Sequence, residues 1–322
     1  MTSSSLMSIE HLSRHYGDLV AVNSVNFDLN RGEVLGFLGP NGAGKSTTMQ
    51  MITGNLAPSA GKVSINGIDL LDQPKLAKAE IGYLPEQPPI YKELSVEEYL
   101  RFCAKINGIT HTAQPTAIKN AIERCGLGDV QTRLIANLSK GYQQRVGIAQ
   151  AIIHTPSIVI LDEPTVGLDP IQIREIRKLI RELGNEHSVI LSTHILPEVQ
   201  MTCDRVQIIN KGQLVFSDSI DSLNQSMQAT SLIAKFESAP TIDTLTDIAN
   251  VETCEDLGDN RLRIHFKQNP AKQIAVDAVN NNWGLLELTP EQKTLEQIFV
   301  EITSSEQNVE ETMNESGTED AA

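Results

Sequence analysis

A compact apolar run, Val34-Leu35-Gly36-Phe37-Leu38, ends in Gly39-Pro40-Asn41-Gly42-Ala43-Gly44-Lys45-Ser46-Thr47, and residues 46–53 then read as helical. A buried strand, a glycine-rich turn and a helix in direct succession leave few folds open. Glycines let backbone N–H groups turn inward toward an anion with no side chain between. The helix that starts near Lys45 points its positive end at the same place. The spacing G-x-x-x-x-G-K-[ST] is the Walker A pattern, so Gly39, Pro40, Asn41, Gly42, Ala43, Gly44, Lys45, Ser46 and Thr47 are expected to cradle a nucleotide's phosphates. Lys45 would set a full charge against the β- and γ-phosphates, and the Ser46 hydroxyl would complete a Mg²⁺ shell. A dinucleotide fingerprint is disfavoured, because it does not need the Lys-Ser pair.

A second cluster narrows the chemistry. Ile158-Val159-Ile160-Leu161-Asp162-Glu163-Pro164 reads as a buried strand ending in two acids, the Walker B arrangement. Alternation along a strand sends neighbouring side chains to opposite sides, which suits two different jobs. Asp162 would hold Mg²⁺ through water, and Glu163 would face the attacking water as a general base. Two carboxylates at a strand end can also merely cap a turn; beside a phosphate loop the catalytic reading is the stronger one.

Between these clusters lies Leu138-Ser139-Lys140-Gly141-Tyr142-Gln143-Gln144-Arg145. With it, the sequence resembles the nucleotide-binding subunit of an ATP-binding cassette (ABC) transporter over about residues 6–225, with five motifs in order. The resemblance implies ATP and Mg²⁺ as cofactors. Tyr16 matches the aromatic residue that stacks on adenine. Ser139 and Gly141 match the signature residues that grip the γ-phosphate of ATP held by the opposite subunit. Gly167-Leu168-Asp169-Pro170 looks like the D-loop, with Asp169 crossing the dimer interface. His194, in Leu191-Ser192-Thr193-His194, looks like the switch histidine, which completes an implied catalytic set of Lys45, Glu163 and His194.

Two positions depart from the family pattern. The signature LSGGQ here reads LSKGY, which keeps the serine and the glycine and loses the final glutamine. In Gly82-Tyr83-Leu84-Pro85-Glu86-Gln87, Glu86 stands where the Q-loop glutamine is expected and Gln87 follows it. Either residue is a candidate contact for Mg²⁺ and the water, and an acid is the harder ligand.

Charge and composition bound the partners. Of 26 basic and 41 acidic residues, residues 1–225 hold 20 and 23, whereas residues 226–303 hold 6 and 12. Residues 304–322 add six acids and no Lys or Arg. An acidic chain without a basic block is a poor ligand for phosphate backbones, so no nucleic acid partner is expected. Apolar runs such as 158–161 fall far short of the ~18 residues that span a bilayer. The N-terminus has neither the basic nor the apolar region of a signal peptide. Cys103, Cys125, Cys203 and Cys254 form no CxxC pair and read as isolated buried thiols of a reducing cytosol.

The expected fold is α/β: a P-loop NTPase cassette with a mainly parallel sheet core, an antiparallel β subdomain and a helical subdomain at about 90–150. Residues 1–30 alternate as short antiparallel strands, and 61–70 read as a hairpin about Asn66-Gly67. Residues 95–136 turn helical with Ser95 as a cap, and 189–191 form another buried strand. After a nucleotide-binding domain over 1–225, a small α+β accessory domain is expected over 226–303. It would hold strands at 232–236 and 261–266 and helices at 271–281 and 295–302; residues 304–322 would be a disordered acidic tail.

LSKGY together with GYLPE is similar, more narrowly, to ATP-binding subunits of ABC-2 type exporters, including the gliding-motility and drug-export branches. Their chains often carry a small α+β extension closed by a helix such as 294–301. This resemblance implies a homodimer of cassettes that closes on ATP. It also implies a separate multi-span membrane permease and a peripheral place on the cytoplasmic face of the inner (plasma) membrane. The rival class is a non-transport ABC ATPase that acts on a ribosome or DNA. Ribosome-associated members generally fuse two cassettes, and DNA-repair members carry a long coiled coil; this sequence shows one Walker A and no such insertion.

Overall fold

A computed structural model describes residues 5–226 and 229–291, and the chain divides into two compact units between Ile220 and Asp221. In the first, β1 (Ser5–Tyr16) and β2 (Leu19–Asn30) pair antiparallel. They are longer than the short strands expected. Register shifts near His11 and Leu12, with left-handed backbone at His11 and Ser24, interrupt the alternation that marks a strand in sequence. Then come β3 (Val34–Leu38), α1 (Lys45–Ile52), β4 (Ala60–Ile65) and β5 (Ile68–Asp69). β4 and β5 form the expected hairpin, whose turn residues Asn66 and Gly67 take φ of 53° and 78°.

Next are α2 (Pro74–Ala79), β6 (Ile81–Leu84), α3 (Val96–Ile106), α4 (Gln114–Arg124), α5 (Lys140–Ile152) and β7 (Ile158–Asp162). The helical stretch expected over 95–136 is therefore broken. Gly108 in left-handed backbone ends α3, and Pro115 sits in the first turn of α4. Ser95 does cap α3, in a box where its hydroxyl accepts from Glu98 N and the Glu98 carboxylate accepts from Ser95 N at 2.8 Å. The first unit closes with α6 (Pro170–Leu183), β8 (Ser188–Thr193), α7 (Leu196–Thr202), β9 (Arg205–Asn210) and β10 (Gln213–Ser219), and α8 (Ile220–Ser226) follows.

One six-stranded sheet, in order β10-β9-β3-β8-β7-β6, organises the cassette. Its strands are parallel except β10, which pairs antiparallel with β9. β3, β7 and β8 are buried along their whole length, as a parallel sheet covered on both faces requires. That order matters for chemistry. β3, β8 and β7 are neighbours, so the segments leaving Leu38, Thr193 and Asp162 emerge side by side at the strands' carboxyl ends.

The second unit is built from β11 (Ser231–Phe236), α9 (Ile242–Thr246), β12 (Val251–Gly258), β13 (Arg261–Phe266), α10 (Ala271–Asn280) and β14 (Leu285–Glu291). Strand order β12-β13-β11-β14, antiparallel throughout, with this β-α-β-β-α-β succession is a split βαβ, ferredoxin-like arrangement. Leu232, Phe236, Ile264 and Ile274 centre a core of its own. The helix expected at 295–302 and the tail at 304–322 lie outside the described residues. Among the described residues, no helix is long and apolar enough to cross a membrane.

Of the four cysteines expected to be buried, Cys103, Cys125 and Cys203 are, whereas Cys254 is half-buried. Cys254 lies on β12, which among the described residues is an edge strand of its sheet. Burial raises the Cys103 and Cys125 thiols to about 11 and about 12, so the nucleophilic thiolate is scarce at neutral pH. At pH 8, a maleimide is expected to label Cys254 first in native protein, and all four thiols only in denaturant. Mass spectrometry of the labelled peptides checks the order; Cys125 reacting as fast as Cys254 would contradict it.

Candidate active site

The glycine-rich loop leaves β3 against the backbones of β2 and β9. A Cβ at Gly39 would stand 2.4 Å from the Ile209 carbonyl, and one at Gly44, where φ is 105°, 2.7 Å from the Ala21 carbonyl. Only glycine fits either place. α1 starts at Lys45 with Gly44 as N-cap and no side chain capping it. Its first N–H groups are thus presented to whatever anion occupies the loop. Lys45 is buried, and its Nζ donates to the carbonyls of Gly39 at 2.8 Å and Pro40 at 3.2 Å.

Asp162 ends β7 directly opposite Ser192 of β8, whose hydroxyl donates to Asp162 Oδ1 at 2.7 Å. Burial raises the Asp162 pKa above the ordinary carboxylate range; hydrogen bonds from Ser192 and Ser46 oppose it, and the charges of Glu163 and Glu86 add to it. A buried acid whose charge is disfavoured, hydrogen-bonded to the hydroxyl of Ser46 in the first turn of α1, suits a hard divalent cation that would restore that charge. No cluster of three or more His, Cys, Asp or Glu among the described residues could hold a metal by itself. Mg²⁺ asks for one or two protein groups together with substrate phosphates and water, and Ser46 and Asp162, within hydrogen-bond reach of each other, are the pair that would meet that need.

Glu163 does not follow the alternation of β7. Its φ of 49° turns the chain out of the strand, with Glu163 N donating to the Ser192 carbonyl at 2.9 Å. A non-glycine residue held in left-handed backbone is strain kept where function needs a direction. Here it aims the carboxylate at the His194 ring and the Lys45 ammonium. His194 Nδ1 lies 2.9 Å from one oxygen and 3.0 Å from the other, and Lys45 Nζ lies 3.4 Å from Oε1. Asn41, Gly42, Gly44, Lys45, Ser46, Thr47, Glu86, Glu163 and His194 all line one cleft of about 430 Å³.

Other expected site residues sit elsewhere. Ser139 caps α5 with its hydroxyl, accepting from Tyr142 N at 3.4 Å, and Gly141 packs against Gln172 of α6. Asp169 caps α6, accepting from Ile171 N at 3.0 Å and Gln172 N at 2.9 Å. Tyr16 stands exposed at the end of β1, with the Arg14 guanidinium 4.6 Å from its ring centroid. Gln87 is exposed and, unlike Glu86, does not line the cleft. Sequence reasoning missed Ala21 and Val166, which line the cleft, and Ser192, which orients Asp162. The signal for Ser192 was its place two residues before His194 in a strand that pairs with β7.

Comparison with known proteins agrees with this geometry. A family profile described as ABC transporter matches residues 22–166, which include the glycine-rich loop and both strand-end acids. The uncharacterized ABC transporter ATP-binding protein YxlF of Bacillus subtilis is 37% identical over 223 residues, 69% of this chain and 74% of that protein. The bacitracin transport ATP-binding protein BcrA of Bacillus licheniformis is 34% identical over 305 residues, 93% of this chain and 97% of its own. A solved structure of an ATP binding subunit of an ABC transporter superposes with a TM-score of 0.62 at 33% identity, covering 69% of this chain and 92% of that one. The chain belongs to the ABC transporter family, as one of its ATP-binding, ATP-hydrolysing subunits.

Proposed function

We propose that this subunit drives a separate multi-span permease of the ABC-2 exporter type. It would work at the cytoplasmic face of the membrane, as a homodimer that closes head to tail on two ATP molecules. One observation carries the dimer: Lys45, Ser46, Glu163 and His194 share a cleft that Ser139 and Gly141 do not line. Each γ-phosphate site then has its lysine, base and histidine from one copy and its signature residues from the other. The exporter reading is supported by the LSKGY and GYLPE segments. The bacitracin transport relative also aligns far enough to include the ferredoxin-like unit.

Within the cleft, Lys45 turns from the loop carbonyls and Glu163 to the β- and γ-phosphates. Ser46 and Asp162 would hold Mg²⁺, with Glu86 as the Q-loop group beside them. When bound there, Mg²⁺ would supply positive charge against the charge that develops on the phosphates. Glu163 accepts the proton of the attacking water, and His194, already within hydrogen-bond reach of Glu163, fixes the angle of approach. Asp169 would reach the partner from the D-loop, whose junction with α6 it caps. Adenine stacks on the face of Tyr16 away from Arg14. Tyr16→Ala is expected to weaken ATP binding about tenfold, the value of one stacked base; equilibrium titration with a fluorescent ATP analogue checks this.

The permease is tested by affinity capture of the full chain from detergent-solubilised membranes of its native host. A co-purifying multi-span protein is the expected result. Capture of ribosomes or DNA in its place would overturn the transport reading.

A further inference from the structure

We infer that Glu198 is a positioning residue, a buried carboxylate that ties the segment after the base Glu163 to the segment bearing His194. It stands on α7, is fully buried, and does not line the nucleotide cleft. Its Oε1 accepts the Thr165 hydroxyl at 2.6 Å, and its Oε2 accepts the Thr193 hydroxyl at 3.0 Å. Arg177 of α6 approaches Oε1 at 3.5 Å and supplies the countercharge. Thr165 lies two residues beyond Glu163, and Thr193 immediately precedes His194.

A buried acid is costly and is retained where its hydrogen bonds do something that packing cannot. Here one carboxylate clamps two loop segments that leave different strands. Thr193 Oγ1 also accepts from Ile195 N at 3.1 Å, which fixes the backbone on the far side of His194. The anchors at Thr165 and Thr193 hold the two segments whose side chains Glu163 and His194 meet at 2.9 Å. A misplacement of about 1 Å in such a constellation lowers turnover about 100-fold.

The inference rests on the reading of Glu163 and His194 as hydrolytic groups, and the test separates the two. In the full chain, Thr193→Val and Thr165→Val delete one hydroxyl each and keep the β-branched volume; Glu198→Gln leaves one acceptor oxygen. Each is expected to lower kcat for ATP roughly 10- to 100-fold and to leave the Kd for a fluorescent ATP analogue within about twofold. Thr193→Ser, which keeps the hydroxyl, recovers most of the loss. Added to Glu163→Gln, Thr193→Val lowers turnover no further. The positioning role is overturned if Glu163→Gln abolishes turnover while Thr193→Val and Glu198→Gln hydrolyse like wild type. It is equally overturned if Thr193→Ser is as poor as Thr193→Val, or if the loss appears in Kd. Wild-type turnover by Glu163→Gln would instead sink the reading of the base.

Discussion

Glu163→Gln is expected to lower ATP turnover by about 100- to 1000-fold, the share of a general base, while ATP binding stays at least as tight as in wild type. The substitution keeps the side chain's shape and removes its ability to take a proton. It also removes a charge that competes for Lys45, whose Nζ lies 3.4 Å from Glu163 Oε1. With that charge gone, Lys45 is freer for phosphate, and the γ-phosphate no longer meets a buried carboxylate. Phosphate release under saturating ATP, with an equilibrium titration alongside, measures both quantities. Wild-type turnover, or loss of binding together with turnover, would contradict the role assigned to Glu163.

Lys45→Met is expected to have two effects that can be measured apart. Binding of ATP weakens by about 100-fold or more, because the one full positive charge set at the loop is gone. Stability without nucleotide falls too, because Lys45 and Glu163 are both buried, at 6% and 7% side-chain exposure. Removing one partner of a buried pair leaves the other charge uncompensated and costs roughly 3 kcal/mol. The sign of the second substitution is the informative part. In the Lys45→Met chain, Glu163→Gln should raise the denaturation midpoint, because it removes the stranded charge. A further fall would show that the pair is not the source of the loss.

The parts of the fold that were legible in sequence are those decided locally. The run 34–38 with its glycines, the Asn66-Gly67 hairpin and the capping box at Ser95 each carry their own signal within a few residues. Strands built without that signal were not legible: β9 and β10 escaped notice, as did the edge strands β12 and β14, whose faces are largely polar. Strand order is a property of the whole chain, so the juxtaposition of β3, β8 and β7 could not be read from any one of them. The site divides in the same way. Asp162, Glu163 and His194 stand at strand ends and Lys45 and Ser46 open α1, all inside motifs, and the structure brings them to one cleft or its wall. Glu163's left-handed turn runs against the preference of its own residue type, and Glu198 meets its partners Thr165 and Thr193 only through folding. No local pattern announces either.

The separation of Ser139 from the cleft of Lys45, Glu163 and His194 sets the most direct test. Sedimentation velocity of Glu163→Gln, with and without Mg²⁺ and ATP, reads whether a second copy completes the site. The expected result is a monomer near 35.3 kDa without nucleotide and a dimer of about twice that mass with ATP, lost again when Ser139→Arg is added. A sedimentation coefficient indifferent to ATP, or a dimer that forms equally well with Ser139→Arg, would contradict the composite site.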